Sequence, residues 1–322
     1  MRKLFFLILF SALSLAVLAS WFDNTVKLPL PIKEKFVIEM PQGANANTLA
    51  KQLLEKQLIA HELVVKLAIR IYGYDKKLKA GEFLIEPDMS LIDILNKISS
   101  NKVILHKITI PEGLTSHQIV ELINNNSYLS GNIDFEVAEG SILPETYTFS
   151  KGTSKQDIIE QAQKALQKCL NEIWETRAEN LPINSAEELL VLASIIEKET
   201  GVHSERAKVA SVFVNRLNKN MLLQTDPTVI YAITMGKKEL GRSLKRADLQ
   251  IDSPYNTYKY AGLPPKPICN AGIKALKAAA NPDNTAYFYF VADGDGGHNF
   301  SKTLTEHNQN IQKWLKKIRN KK

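Results

Sequence analysis

An uncharged run near the N-terminus constrains this chain more than any other feature. Residues 4–22 (LFFLILFSALSLAVLASWF) carry no charge and follow two basic residues, Arg2 and Lys3. A helix needs about 20 apolar residues to cross the hydrocarbon core of a bilayer, so the run is long enough to span it. Because basic residues before such a helix stay in the cytoplasm, the chain after it is exported. We predict a single-pass anchor over residues 1–22, with the rest of the protein on the outer (periplasmic) face of the cytoplasmic membrane.

A cleaved signal peptide is the alternative interpretation of this run. Small side chains at residues 17–19 (Val-Leu-Ala) lie near a plausible cleavage point. The apolar part of a signal peptide is usually only about 7–15 residues long, which favours a retained anchor. No Cys follows the run, which excludes a lipoprotein anchor. Either way the protein works outside the cytoplasm, so its net charge of +7 suits an anionic wall polymer or membrane surface, and no nucleic acid is expected as a partner.

A small module is predicted after the anchor. Residues 23–34 (DNTVKLPLPIKE) contain two prolines and no clear period, which indicates a linker. A strand at 36–40 then precedes two amphipathic stretches, 47–58 and 61–73, and a closing strand at 81–85. This order of strand, helix, helix and strand predicts a compact βααβ module, which we place at residues 35–103.

The remaining residues, 104–322, show helical and strand patterns in mixed order. Apolar residues recur at helical spacing over 154–179 and again from residue 204 to 220. Ser185, followed by Glu188 three residues later, predicts a capping box at the start of another helix. With a strand at 288–293, these patterns predict a mixed α+β domain, so the whole chain is assigned to the α+β class.

The two cysteines, Cys169 and Cys269, are interpreted as unpaired thiols that act as small hydrophobic side chains. They lie a hundred positions apart and form no metal-spaced pair, and the sequence leaves open whether they meet as a disulfide. No His/Cys cluster is present to bind a metal, so neither a metal nor another cofactor is expected.

The stretch LASIIEKET, residues 192–200, ends an apolar helix on two glutamates. At about 100° per residue, Glu199 falls inside the apolar arc of this helix, and Glu197 falls on its margin, where it can reach water. A carboxylate without a partner is costly to bury and its pKa rises. Glu199 is therefore either a buried glutamate paired with Arg206 or Arg216, or a general acid that apolar surroundings keep protonated.

Two later segments combine rigid prolines, aromatic rings and side-chain amides. They are LQTDPTVIYA, residues 223–232, and SPYNTYKYAGLPP, residues 253–265. Such groups suit a groove that holds sugar rings, although ordinary structured loops have a similar composition. The candidate substrate-binding residues are Gln224, Asp226, Tyr231, Asn256 and Tyr258.

Several motifs appear in a fixed order along nearly the whole chain. They are LASIIEKET, the NRL of residues 215–217, LQTDPTVIYA, YNTY-x-x-x-GLPP-x-PI, AAANP, YFYFVAD and GGHNFSKTLTEHN. Together with the anchor and the βααβ module, they resemble the endolytic murein transglycosylase (YceG-like) family. Two departures are visible, since Glu145 stands where the family often has Asp, and Ala271 where it often has Pro. The first keeps the charge and the second loses only some turn rigidity.

The resemblance implies a lytic transglycosylase that cuts the β-1,4 bond between N-acetylmuramic acid and N-acetylglucosamine within a peptidoglycan strand. It implies Glu199 as the catalytic acid and base, a LysM-like character for the module, a catalytic domain at residues 104–322 and no cofactor. It also implies termination of nascent strands and peptidoglycan synthases (penicillin-binding proteins) as partners. Two alternatives remain, namely a lysozyme-type hydrolase with Asp226 or Glu197 as second carboxylate, and a non-catalytic wall-binding scaffold for synthases.

Overall fold

The computed structural model describes residues 2–100 and 102–321, which fall into two compact units. The small unit comprises Met1–His106, Tyr128–Ser130 and Thr148–Thr153. The large unit comprises Lys107–Ser127, Gly131–Tyr147 and Ser154–Lys322. Each unit has its own hydrophobic core, and the mixed α+β class is confirmed.

Helix α1 (Arg2–Lys27) contains the uncharged run. By length and composition, its residues Lys3–Lys27 are able to cross a membrane. The helix continues through residues 23–27, so the predicted linker is wrong over that part. Val26 near its end is fully buried in the core of the small unit, and the following chain is held where the Leu30 N–H donates to the Met89 carbonyl at 3.0 Å.

The small unit confirms the predicted order of strand, helix, helix and strand. Its elements are β1 (Phe36–Met40), α2 (Ala46–Glu55), α3 (Glu62–Ile71), β2 (Gly81–Ile85) and α4 (Leu91–Ser99). Strands β1 and β2 pair antiparallel, with Ile38 opposite Phe83, and both side chains are fully buried. Helix α4 begins at a complete capping box, in which Ser90 and Asp93 exchange side-chain and backbone hydrogen bonds.

The chain then alternates further strands and helices. These are β3 (Leu105–Thr109), α5 (Ser116–Asn124), β4 (Thr146–Ser150), α6 (Lys155–Glu175), α7 (Ala186–Glu199), α8 (Arg206–Asn218), α9 (Asp226–Thr234), α10 (Ile273–Ala280), β5 (Tyr289–Ala292), β6 (His298–Ser301) and α11 (Leu304–Lys321). Strands β3 and β4 form one two-stranded sheet, and β5 pairs antiparallel with β6.

Helix α7 runs through the core of the large unit and positions the opening motif. It packs against α6, α8, α9 and α10, and its residues from Val191 to Ile196 are all buried. Only half of the predicted capping box forms: the Ser185 hydroxyl accepts from the Glu188 N–H at 3.2 Å, whereas the Glu188 carboxylate accepts from the Asn184 N–H at 2.7 Å.

Helix α9 lies where the sequence analysis predicted no helix. Its first turn holds Asp226 and Pro227, directly after Thr225 at the N-cap. Proline is favoured in the first turn, where its missing N–H has no helical partner to lose. An N-cap residue followed by Asp-Pro was therefore a usable signal.

Both cysteines are free, as interpreted from the sequence. Cys269 is fully buried, and its thiol donates to the Ser194 carbonyl at 3.4 Å.

Candidate active site

A cleft of about 590 Å³ opens in the large unit beside the end of α7. Helix α8, the start of α9, the segment that holds Tyr258, strand β5 and helix α11 supply its other walls. Its polar lining consists of Glu199, Arg216, Gln224, Thr225, Asp226, Tyr258 and His307. Aromatic and aliphatic side chains complete it, among them Tyr289, Leu304, Ile311 and Trp314.

Glu199 occupies the last position of α7, where the chain leaves the helix. The next residue, Thr200, has an extended backbone, so the helix ends and the half-buried Glu199 side chain faces the cleft. The hydroxyl of Thr225 donates to Glu199 Oε1. Thr225 is itself fixed, because its N–H donates to the hydroxyl of Thr257 at 3.1 Å. The carboxyl group is thereby held in one orientation at the junction of α7 and α9.

The surroundings favour the protonated form of Glu199. Loss of hydration on burial raises the pKa of Glu199, and the nearby negative charge of Asp226 adds to this effect. The hydrogen bond from Thr225 and the positive charges of His298 and Arg216 act in the opposite direction without reversing it. A carboxylic acid with a raised pKa is suited to general acid catalysis.

The interpretation of Glu199 as half of a buried ion pair is wrong. Among the residues that the structure describes, no cationic side chain forms a salt bridge with it. Arg216 donates instead to backbone carbonyls, from Nε to Phe288 at 2.7 Å and from Nη1 to Leu223 at 2.8 Å. Its guanidinium also lies 5.2 Å from the ring centre of Tyr289.

Glu197, and not Glu199, forms the buried ion pair with an arginine. Arg206 Nη2 lies 2.7 Å from Glu197 Oε1, and the two side chains are only 4% and 5% exposed. The other carboxylate oxygen of Glu197 accepts from the Gly272 N–H at 2.9 Å. The prediction that Glu197 reaches water is therefore wrong, because α8 and the chain before α10 cover the margin of α7 where it lies.

Three of the five predicted substrate-binding residues line the cleft with Glu199. Tyr258 donates from its hydroxyl to Asp226 Oδ1 at 2.6 Å, which links the second segment to the start of α9. Gln224 is exposed and has a φ of 51°, a left-handed conformation that is uncommon for a residue with a side chain. Such backbone strain often accompanies functional sites.

The other two predicted residues, Tyr231 and Asn256, do not line this cleft. Asn256 is fully buried, and its amide donates to the carbonyls of Leu249 at 3.0 Å and Ile251 at 2.8 Å. The buried Tyr231 donates to Glu139 Oε2 at 3.2 Å. Both side chains hold loops and helices together, which leaves them unavailable to a ligand in the cleft.

Helix α11 contributes side chains to the cleft that were not predicted from the sequence. His307 stacks on Tyr289 with ring centres 5.2 Å apart, and its buried Nδ1 has no hydrogen-bond partner in the described part of the chain. Burial lowers the pKa of His307, which favours its neutral form. Its place in the motif GGHNFSKTLTEHN was the available signal. Within residues 2–100 and 102–321, no group of three or more His, Cys, Asp or Glu side chains is arranged to hold a metal ion.

Comparison with known proteins gives one consistent result. Residues 38–313 match the family model described as the YceG-like family. An endolytic murein transglycosylase of Bacillus subtilis (strain 168) is 36% identical, over 86% of this chain and 84% of that protein. One from Streptococcus pneumoniae serotype 2 (strain D39 / NCTC 7466) is 28% identical over 90% of this chain, which spans only 60% of that longer protein. The crystal structure of a yceG-like protein from Listeria monocytogenes, 33% identical, superposes with a TM-score of 0.51 and covers 86% of this chain and 99% of its own.

Proposed function

Because the chain belongs to the YceG-like family, we propose that it is an endolytic peptidoglycan lytic transglycosylase with Glu199 as its acid and base. The observation that carries the proposal is a carboxyl group that lies in a cleft, has a raised pKa, and forms no salt bridge among the described residues. The names of the relatives supply the substrate class, since murein is the polymer on which they act.

The reaction that this site supports is an internal displacement within one sugar. Protonated Glu199 donates its proton to the oxygen that links N-acetylmuramic acid to the next N-acetylglucosamine, and the bond from the anomeric carbon to that oxygen breaks. The C6 hydroxyl of the muramic acid attacks the same carbon, and its proton passes to the Glu199 carboxylate. The acid is thereby regenerated and no water is consumed, so the product carries a 1,6-anhydro end. An internal nucleophile replaces the second carboxylate of ordinary glycosidases and gains from proximity.

The other groups of the cleft are suited to hold the glycan. Gln224, Asp226 and Tyr258 present an amide, a carboxylate and a hydroxyl toward sugar hydroxyl and acetamido groups. Tyr289 and Trp314 offer aromatic faces for sugar rings. Thr225 orients the carboxyl of Glu199, and it is a positioning residue in this scheme.

We further propose that α1 keeps the protein on the outer face of the cytoplasmic membrane. Its length and apolar composition support a span, and the basic residues at its start, Arg2 and Lys3, support this orientation. A tether raises the concentration of the cleft near newly made strands, so the enzyme cuts strands during synthesis and terminates them. Synthases of the penicillin-binding class then work beside it, and the βααβ module acts as a LysM-like wall-binding element.

The test is product analysis with purified full-length protein on uncrosslinked glycan. Wild type is expected to release 1,6-anhydro ends, each lighter by one water molecule than a hydrated reducing end. Glu199→Gln is expected to abolish cleavage, while Glu187→Gln, an exposed glutamate at the start of the same helix, keeps it. Hydrated ends would indicate a lysozyme-type hydrolase. A wild-type protein that binds glycan but never cleaves it would indicate a scaffold.

A further inference from the structure

An apolar groove lies between helices α1 and α3 within the small unit. Its volume is about 670 Å³. From α1 it is lined by Leu15, Leu18, Ala19, Trp21, Phe22 and Asp23, and from α3 and its end by Leu67, Ile71 and Tyr72. Several of these side chains are well exposed, including Trp21 at 60% and Ile71 at 62%. Contiguous exposed apolar surface of this kind marks a contact with a partner or a membrane.

The apolar surface of helix α3 extends well beyond the face that the helix buries. Its residues Val65, Ala68 and Ile69 are buried in the core of the small unit. Leu63, Leu67 and Ile71 follow one another at four-residue spacing, so each is turned about 40° around the helix axis from the one before it. They form an outer apolar row, and all three are exposed. The charged residues of the helix, Glu62, Lys66 and Arg70, form a row on one side of this apolar surface, and on the other side Val64 joins the outer row to the buried face. A helix that only met water on its outer side would carry polar residues along that row.

The position of the groove along α1 gives its depth in a bilayer. A helix rises about 1.5 Å per residue, so Trp21 lies about 26 Å beyond Leu4, and Leu15 about 9 Å before Trp21. With Leu4 at the cytoplasmic edge of a hydrocarbon core about 30 Å thick, Leu15 lies in the outer leaflet and Trp21 near its boundary. Leu67 and Ile71 line the same groove, so they share this range of depth.

The polar groups beside the groove suit the boundary of a membrane. Trp21 and Tyr72 are the residue types that concentrate at bilayer interfaces. Asp23 is neutralised locally, since its carboxylate accepts from the Tyr72 hydroxyl at 2.5 Å and pairs with Lys27 at 2.7 Å. The exposed cation of Arg70 flanks the outer apolar row, where it is able to reach lipid phosphates.

We propose that the outer leaflet fills this groove, so that α3 lies in the membrane interface with Leu63, Leu67 and Ile71 in contact with acyl chains. The small unit is then seated on the bilayer by two helices, a spanning one and an interfacial one. The inference rests on the proposed membrane anchor and goes beyond it, because an anchor alone leaves α3 in water.

The experiment uses the full chain in lipid nanodiscs with one nitroxide label per protein. Labels are attached at Leu67→Cys, at Leu9→Cys as a reference inside the spanning run, and at Leu54→Cys as a matched control. Leu54 is an exposed leucine of α2 outside the groove. Cys169 is replaced by Ala, and the buried Cys269 is kept. The Cys169→Ala protein without an introduced cysteine is treated with the label in the same way, and its signal is the background. Collision with oxygen, which concentrates in lipid, is compared with collision with a water-soluble nickel chelate.

The label at residue 67 is expected to collide mainly with oxygen, like the label at residue 9, while the label at residue 54 collides mainly with the chelate. A lipid-like result at 9 with a water-like result at 67 overturns the inference and leaves the anchor intact. A water-like result at residue 9 overturns both the proposed anchor and this inference. Nanodiscs that hold two protein molecules are measured as well. Dipolar broadening between their labels at residue 67 would mean that a second chain covers the groove, and would overturn the assignment to lipid.

Discussion

Replacement of Glu197 by Gln is expected to destabilise the protein strongly while the catalytic group stays in place. Glu197 shares a nearly dry ion pair with Arg206, in which the side chains are 5% and 4% exposed. Breaking one partner of such a pair costs about 3–5 kcal/mol, because the other charge remains buried without compensation. Glu112 lies 3.4 Å from Arg206 and is 37% exposed, so it retains some compensation and places the cost near the lower end.

The expected shift in melting temperature follows from this cost. The pair lies in the large unit, whose size falls in the range of roughly 150–250 residues. In a domain of that size 1 kcal/mol corresponds to about 2–4 °C, so a cost of about 3 kcal/mol lowers the melting temperature by about 6–12 °C. The melting temperature of each protein is measured by thermal unfolding, and glycan cleavage is measured separately at a temperature well below both melting temperatures. Glu197→Gln is expected to cleave glycan at a rate close to wild type, because its side chain lies outside the cleft. An inactive Glu197→Gln protein with the wild-type melting temperature would refute this assignment of the two glutamates.

Glu199→Gln is expected to show the opposite behaviour, with lost turnover and a stability that depends on pH in a defined direction. Folding raises the pKa of Glu199, so the folded protein binds that proton more tightly than the unfolded chain, whose value is about 4.3. The resulting stabilisation of wild type is complete below the unfolded pKa and is lost as the pH rises through the folded pKa. The melting temperature of Glu199→Gln relative to wild type therefore rises with pH, and a flat difference would contradict a raised pKa. Activity of wild type is expected to fall as the pH rises through the same pKa, and Thr225→Val, which removes the hydrogen bond that lowers it, moves this decline to higher pH in a kcat profile. Asn256→Ala leaves two part-buried carbonyl groups without their donor, at about 1 kcal/mol each, so it lowers the melting temperature but not the affinity for glycan. Tyr258→Phe removes the bond to Asp226 at the cleft, so it weakens glycan binding more than stability, and isothermal titration with a glycan fragment separates the two variants.

Much of the small unit was accessible from the sequence because its signals are local. Helix α4 begins at a capping residue, and its apolar spacing matches the side chains that become buried. Strand β2 alternates, with Gly81, Phe83 and Ile85 buried. These patterns depend on neighbouring residues alone, so no distant part of the chain has to be known.

The candidate site was only partly predictable because its members meet through tertiary contacts. The angular position of Glu199 on α7 placed it among apolar residues, and the structure shows the side chain half-buried and facing the cleft. The same use of helical angles failed for Glu197. Arg206 and Gly272, which cover its side chain, lie outside α7, so the sequence of α7 alone does not predict their contact with it. Composition likewise suggested Asn256 as a ligand-binding amide, and only the folded chain shows that backbone carbonyls already occupy it.

The burial of Val26 inside the small unit has a consequence for the order of events during synthesis. Its partners in that core include residues of α4, which begins at Leu91. A ribosome adds about 5–20 residues per second, so Val26 is made about 3–13 s before the start of α4. Through that interval the end of α1 has no protein interior to enter, and the small unit cannot close until its last helix has been synthesised. Slower translation between α1 and α4 would therefore lengthen the time in which this segment is open to proteases, without any change in the finished protein.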